Sequence, residues 1–221
     1  RVWQVTDGGA RQMITLTAQD MRKGLTGVAF SPDGTRVMTG DLASAATTIW
    51  DVSLSGDAEV ANLPAVAVAP AAVAFTSDGR RLVATSAGGS VTVWDAHSFT
   101  QVRTLGVAPG SPPPPTLGGS PHSPPVASLG DVFSLDVSRD GRLVAVARFD
   151  GTLRVWDLES GADAFTVRAG PTFPREQWMD VAWNHDGDLL AVATNDGTTG
   201  RVTIVDRTGR EVAVLQEDHG I

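Results

Sequence analysis

Four times along this chain a short alternating apolar run stops at Asp-Gly: Val28-Ala-Phe-Ser-Pro-Asp-Gly34, Val73-Ala-Phe-Thr-Ser-Asp-Gly79, Leu135-Asp-Val-Ser-Arg-Asp-Gly141 and Val181-Ala-Trp-Asn-His-Asp-Gly187. The glycines stand 45, 62 and 46 residues apart, and a unit of that length cannot bury its apolar face alone, so the units must stack. Asp-Gly is a hairpin signal, because glycine takes positive φ without steric penalty and aspartate bonds back to its own turn amides.

Each turn is followed by a second β-rich run, at 36–39, 81–85, 142–147 and 188–194. A third lies at 47–51, 90–95, 152–157 and 202–206, and a fourth at 59–63, 101–105, 164–168 and 211–215. The third runs end alike, in Thr-Ile-Trp-Asp, Thr-Val-Trp-Asp, Arg-Val-Trp-Asp and Thr-Ile-Val-Asp. Each unit therefore has four short strands. Residues 1–5 and 11–16 read as a third and a fourth strand whose first and second are missing.

On Trp50-Asp51, Trp94-Asp95, Trp156-Asp157 and the preceding Asp-Gly turns, with Val205-Asp206 as a degraded fourth ending, the chain resembles the WD40 repeat family. The resemblance implies an all-β propeller with an incomplete ring. It places a two-stranded half-blade at 1–16, full blades at 24–63, 70–105, 126–168 and 177–216, and the start of a further blade at 217–221. The structural repeat positions are then the four endings together with Asp33-Gly34, Asp78-Gly79, Asp140-Gly141 and Asp186-Gly187. A half-blade in this family usually pairs with strands from the other terminus, so the natural polypeptide is expected to continue on both sides and complete the ring. An open arc also exposes apolar surface at both ends.

The sequence departs from the family in its polar network. Thr85 fits the usual second-strand hydroxyl and Asp150 and Asp196 the usual turn carboxylate, but Val146 and Val192 occupy other hydroxyl positions, and no internal blade keeps a Gly-His pair. His219 is placed to begin the next blade. Losing most of a polar network together can be nearly neutral, so these blades are expected to rely on apolar packing.

Composition excludes several classes. A net charge of −8 with a single lysine, Lys23, repels a phosphate backbone, so nucleic acid is not expected as a partner. Without cysteine there is no disulfide framework, thiolate metal site or thiol chemistry. The apolar run 65–75, broken by Pro70, is far shorter than the roughly 20 residues that span a bilayer, and the opening residues do not read as a secretory leader, so neither a membrane span nor a leader is expected from this stretch. A cytoplasmic location and, from the arginine bias and the absence of tyrosine, a bacterial origin are expected.

Between the second and third units lies an insertion, 106–125, that holds eight of the 13 prolines. It reads as a tolerated surface loop, with a docking peptide for a proline-recognising module, centred on Pro112 to Pro115, as the alternative.

No nucleophile elbow, phosphate loop, dinucleotide fingerprint or zinc-protease motif occurs. His97, His122, His185 and His219 fall in separate turns, and the Asp-Gly carboxylates recur at one step of the repeat, so neither set reads as a metal or catalytic cluster. A calcium site at Thr194–Gly197 fits an ordinary hairpin more economically. No catalytic residue, cofactor or metal is expected. Trp50, Trp94, Trp156 and Trp183 read as core. Arg148, Phe149 and Trp178 are the candidates for contact with a protein partner, placed on one rim, with folding back over neighbouring blades as the alternative.

The leading expectation is a noncatalytic scaffold or sensory segment of a larger bacterial signalling or regulatory protein. A second reading assigns the arc to a hydrolase or peptidase whose catalytic residues lie outside it; the Trp-Asp endings argue against that. A third makes it a remnant stable only when paired with another copy.

Overall fold

The computed structural model describes residues 2–14, 25–41, 47–53, 58–63, 72–85, 89–106, 132–148, 152–168, 180–195 and 200–217. They form eighteen strands and no helix. Strands β1 (Val2–Thr6) and β2 (Gly9–Ile14) pair as a two-stranded sheet, the half-blade. The first blade comprises β3 (Leu25–Phe30), β4 (Arg36–Asp41), β5 (Thr47–Asp51) and β6 (Ala58–Leu63). The second has β7 (Val73–Phe75), β8 (Arg81–Thr85), β9 (Val91–Asp95) and β10 (Gln101–Leu105). The third has β11 (Val132–Val137), β12 (Leu143–Arg148), β13 (Thr152–Asp157) and β14 (Asp163–Arg168), and the fourth β15 (Asp180–Trp183), β16 (Leu189–Asn195), β17 (Gly200–Asp206) and β18 (Glu211–Glu217). Each blade is an antiparallel meander in chain order.

Side chains alternate between the two faces of each sheet. On one, face A, the third-strand tryptophan stands opposite an aliphatic residue of the second strand: Trp50 with Val37, Trp94 with Leu82, Trp156 with Val144. In the fourth blade Val205 stands opposite Leu190. Face A of each blade packs on the other face, face B, of the blade before it. Met38, Ile49 and Leu63 of the first blade thus cluster with Val73, Leu82 and Trp94 of the second. Val83, Val91 and Val93 of the second meet Val144, Val146 and Trp156 of the third, whose Leu143, Ala145, Leu153 and Val155 meet Val181, Leu190 and Val205 of the fourth.

This radial stack of four-stranded sheets is a β-propeller whose ring is not closed. Burial at the ends shows it. The half-blade reaches the first blade through Val2, which packs on Val37 and Trp50, while Trp3 and Val5 on its other face are 50% and 79% exposed. At the far end Leu215 of β18 is 62% exposed. The expected start of a further blade at 217–221 lies, beyond Glu217, outside the described residues.

The register corrects one detail of the sequence reading. The indole Nε1 of Trp50 donates to Thr39 Oγ1 at 2.9 Å, so the hydroxyl position is two residues beyond the residue opposite the tryptophan. In the second blade that position is Ala84, not Thr85. Thr85 instead bonds the backbone of Ala72, donating to its carbonyl and accepting from its amide.

Candidate interaction surface

In a four-stranded meander the turns joining strands one to two and three to four lie at one end of the sheet. That rim is built from repeated carboxylate turns. In the first blade Asp33 Oδ1 accepts from Ser31 Oγ at 2.6 Å and from the amide and hydroxyl of Thr35, while Ser31 Oγ accepts the Arg36 amide. Asp78 with Thr76 and Asp140 with Ser138 repeat the arrangement. Gly34, Gly79, Gly141 and Gly187 close the turns at φ between +68° and +72°, where a Cβ would be strained. The fourth turn is wired differently: Asn184 Oδ1 accepts the amides of Asp188 and Leu189, so Asn184 takes the role of the hydroxyl and Asp186 is not drawn into the same pattern.

The carboxylates of the third-strand endings organise the neighbouring turns. Asp51 Oδ1 accepts from the amide and hydroxyl of Ser53, Asp95 from Ser98 and the His97 amide, Asp157 from Ser160 and the Glu159 amide, and Asp206 from Thr208 and the Arg210 amide. These donors stabilise the anion. Asp157 is held at about 2, first by the Ser160 amide and further by Arg142, whose Nε donates to its Oδ2 at 2.7 Å. Asp33 and Asp206 also sit at about 2, through Ser31 and Thr208 respectively. Asp95 is lowered by the Ser98 amide.

Arginines latch successive blades along this rim. Arg36 Nη1 donates to the Ala96 carbonyl of the next blade at 3.1 Å, and Arg81 Nη1 to the Leu158 carbonyl at 2.6 Å. Between the third and fourth blades the direction reverses, with Arg207 donating to Asp140 of the earlier blade. That interface is also the more polar one. Asp136 Oδ2 accepts the Trp183 amide at 2.7 Å, Ser134 Oγ donates to Asp180 at 2.5 Å, and Arg139 pairs with His185 Nδ1. Burial pushes the Asp136 carboxyl up, against the lowering by its two backbone donors.

A cleft of about 420 Å³ opens on the same rim between the first and second blades, lined by Asp33, Arg36, Phe75, Asp78, Asp95 and His97 among others. One strained residue packs against its Arg36. Phe99 has φ +57° at the turn position that Gly161 fills in the third blade, a conformation that costs a non-glycine residue on the order of 1 kcal/mol or more. Its ring packs against the buried core of the first interface and carries the Arg36 guanidinium 5.5 Å from its centroid. Sequence reasoning missed Phe99; the clue was a bulky residue four positions after Asp95, where the equivalent position after Asp157 is glycine.

The three contact candidates fare differently. Phe149 and Trp178 lie outside the described residues, as do His122, His219, Asp150, Asp196 and the proline-rich stretch 109–125. Arg148, at the end of β12, is half-buried: its guanidinium lies over Gly89 of the second blade, where a Cβ would come within 2.9 Å of it, and its Nε is buried without a hydrogen-bond partner among the described residues. Among the described residues no three His, Asp or Glu side chains converge on a common point, and none forms a helix long and apolar enough to cross a membrane.

The chain matches the family described as WD domain, G-beta repeat at residues 11–51, 67–95 and 123–157, each match ending on a Trp-Asp pair. It is 30% identical over 127 residues to telomerase protein component 1 of Mus musculus, which covers 57% of this chain and 4% of that protein. It is 34% identical over 55 residues to coronin-7 of Homo sapiens, covering 25% and 6% respectively. The chain thus spans a small fraction of either relative. Among solved structures, hydrazine synthase of Kuenenia stuttgartiensis superposes with a TM-score of 0.67 at 20% identity, over 89% of this chain and 50% of that one, a likeness of fold alone.

Proposed function

From a chain that carries WD40 repeats in an open arc of propeller blades, we propose a noncatalytic scaffold that offers its rims to protein partners within a larger bacterial signalling or regulatory protein of the cytoplasm. WD40 repeats imply a protein-interaction propeller; the particular role is our reading. The observation that carries it is the repeated turn apparatus, which fixes polar and charged groups at one rim in successive blades at little entropic cost on binding. We further propose that the rest of the polypeptide completes the ring, because both end faces of the arc are apolar and uncovered.

Capture from the source cell tests the reading. The complete polypeptide, immobilised, is expected to retain a protein that is lost on alanine substitution of the rim candidates Arg148, Phe149 and Trp178, or of Arg80 and His97, which both line the cleft between the first and second blades. Equal capture by every variant overturns it. Esterase or peptidase activity of the complete polypeptide that survives loss of all capture favours the enzymatic reading instead.

A further inference from the structure

The residue directly after the third-strand aspartate is Ala96 in the second blade, Leu158 in the third and Arg207 in the fourth. In the fourth blade this position reaches back to the hairpin turn of the third, where Arg207 donates to Oδ2 of Asp140. In the third blade Leu158 is fully buried in one cluster with Val83, Val91 and Val93 of the second. In the second blade the side chain stops at the Cβ of Ala96, and the cleft of about 420 Å³ opens there, with Asp33, the counterpart of Asp140, on its wall. A space of that size is within the range of sites that hold small groups.

The charges around the cleft are unevenly engaged. Of the cations that line it, Arg36 donates to the Ala96 carbonyl and lies over the Phe99 ring, and Arg80 points its Nε at Asp78 Oδ2 from 3.9 Å. His97 is exposed. Of the carboxylates, Asp33 takes its hydrogen bonds from Ser31 and Thr35 on Oδ1, and Asp95 takes its own from Ser98 and the His97 amide on Oδ1. Oδ2 of each is therefore without a hydrogen bond or ion pair among the described residues. Ser31 foremost holds Asp33 at about 2, so the anion is present at any ordinary pH.

We propose that this cleft binds the guanidinium of an arginine from a protein partner, seated on Asp33 as Arg207 is seated on Asp140. This rests on the scaffold reading and adds the side-chain chemistry that the rim selects. The molecule itself supplies the template: at the third interface the fourth blade provides the guanidinium in cis, and at the first interface Ala96 leaves it to be provided in trans. A guanidinium suits the place better than an ammonium, because its planar fork meets a carboxylate with two donors and its weakly hydrated face tolerates an apolar wall, here Phe75.

The probe is the peptide Gly-Arg-Gly with both ends blocked, titrated into the isotopically labelled 221-residue chain. Expected are saturable one-site binding with a Kd on the order of millimolar, amide shifts centred on Asp33, Thr35 and Ala96, and affinity lowered about tenfold by Asp33→Asn. Asparagine keeps an acceptor for the Ser31 and Thr35 donors, so the turn is retained. Ala96→Arg fills the cleft from within and removes binding, whereas Asp140→Asn, at the turn that Arg207 already occupies, binds as the parent chain does. The peptide with citrulline in place of arginine, alike in shape and uncharged, does not bind. Circular dichroism checks that each variant keeps its fold. Absence of arginine binding, equal binding of the citrulline peptide, or indifference to both Asp33→Asn and Ala96→Arg overturns the proposal. Preference for Gly-Glu-Gly also overturns it, giving the cleft to an anion held by Arg36 and Arg80. Capture from the source cell is a separate readout: arginine binding with no captured protein counts against the scaffold reading alone, and capture with no arginine binding counts against the cleft alone.

Discussion

The third and fourth blades carry nearly the same second strand, Leu143-Val-Ala-Val-Ala147 and Leu189-Leu-Ala-Val-Ala193, in the same register to the third strand that follows. In the third blade Leu143, Ala145, Ala147, Leu153 and Val155 of face B are buried beneath the fourth. Their counterparts Leu189, Ala191, Ala193, Val202 and Ile204 are only half-buried. The strands do not differ in any way that would account for this; the third blade has a neighbour on that side and the fourth has none among the described residues. An alternating apolar pattern thus states what a blade needs, and the presence of the next blade decides whether it is met.

The widest separation is expected from the face A anchors. Trp156→Ala opens a large hole at a side chain that is 1% exposed and should cost about 3–5 kcal/mol, whereas Val205→Ala in the fourth blade should cost about 1–2 kcal/mol. Urea unfolding of both variants measures this, and equal losses would break the comparison.

A charge on face B sharpens it. Ala145→Asp forces a carboxylate into the closed interface and should cost about 2–4 kcal/mol, while Ala191→Asp, at the matching position on the open face, should cost under about 1 kcal/mol. The same denaturation midpoints report both. A large loss from Ala191→Asp would mean that something covers the fourth blade in solution.

The turn carboxylates give a smaller contrast. Asp157→Ala removes four acceptor contacts from a nearly buried group and should cost roughly 2 kcal/mol. Asp206→Ala, in a more exposed turn, should lower the urea midpoint clearly less.

The least effect is a pH slope of two opposed parts. The lowered carboxyl of Asp157 contributes stability above the ordinary carboxylate range, lost as pH falls toward about 2. Asp136 works in the other sense. Its carboxyl is raised by burial, so the folded protein binds that proton more readily than the unfolded chain, and its contribution declines as pH rises through the raised value. Asp136→Asn should remove this decline from a thermal-unfolding series run upward from pH 4; an unchanged slope would show that the carboxylate at the third interface carries no such penalty.

Much of the turn-side rim was legible in the sequence. Gly34 and its equivalents mark positive φ, and Asp51, Asp95, Asp157 and Asp206 each close a strand directly after its last apolar residue, where a carboxylate reaches the amides of the next turn. The hydroxyl position was misplaced at Thr85 because adjacent residues of a strand, here Ala84 and Thr85, differ in which face they occupy, and that is fixed only by the pairing of Leu82 with Trp94. Arg36, Arg81 and Arg207 look like ordinary surface arginines until the next blade brings a carbonyl or carboxylate within reach. Arg148 reads as a rim residue in the sequence, and its place over Gly89 depends on the connection before β9 of another blade.

By itself the sequence determined the local units, because turn chemistry and alternation act over a few residues: four meanders, their Asp-Gly hairpins and the half-blade before them. The tertiary structure decided which faces are covered, which arginine meets which blade, and that Val28 and Phe30 stand bare while Val73 and Val181 do not. Burial is a property of two surfaces together, and a pattern written along one strand specifies only its own half of the contact.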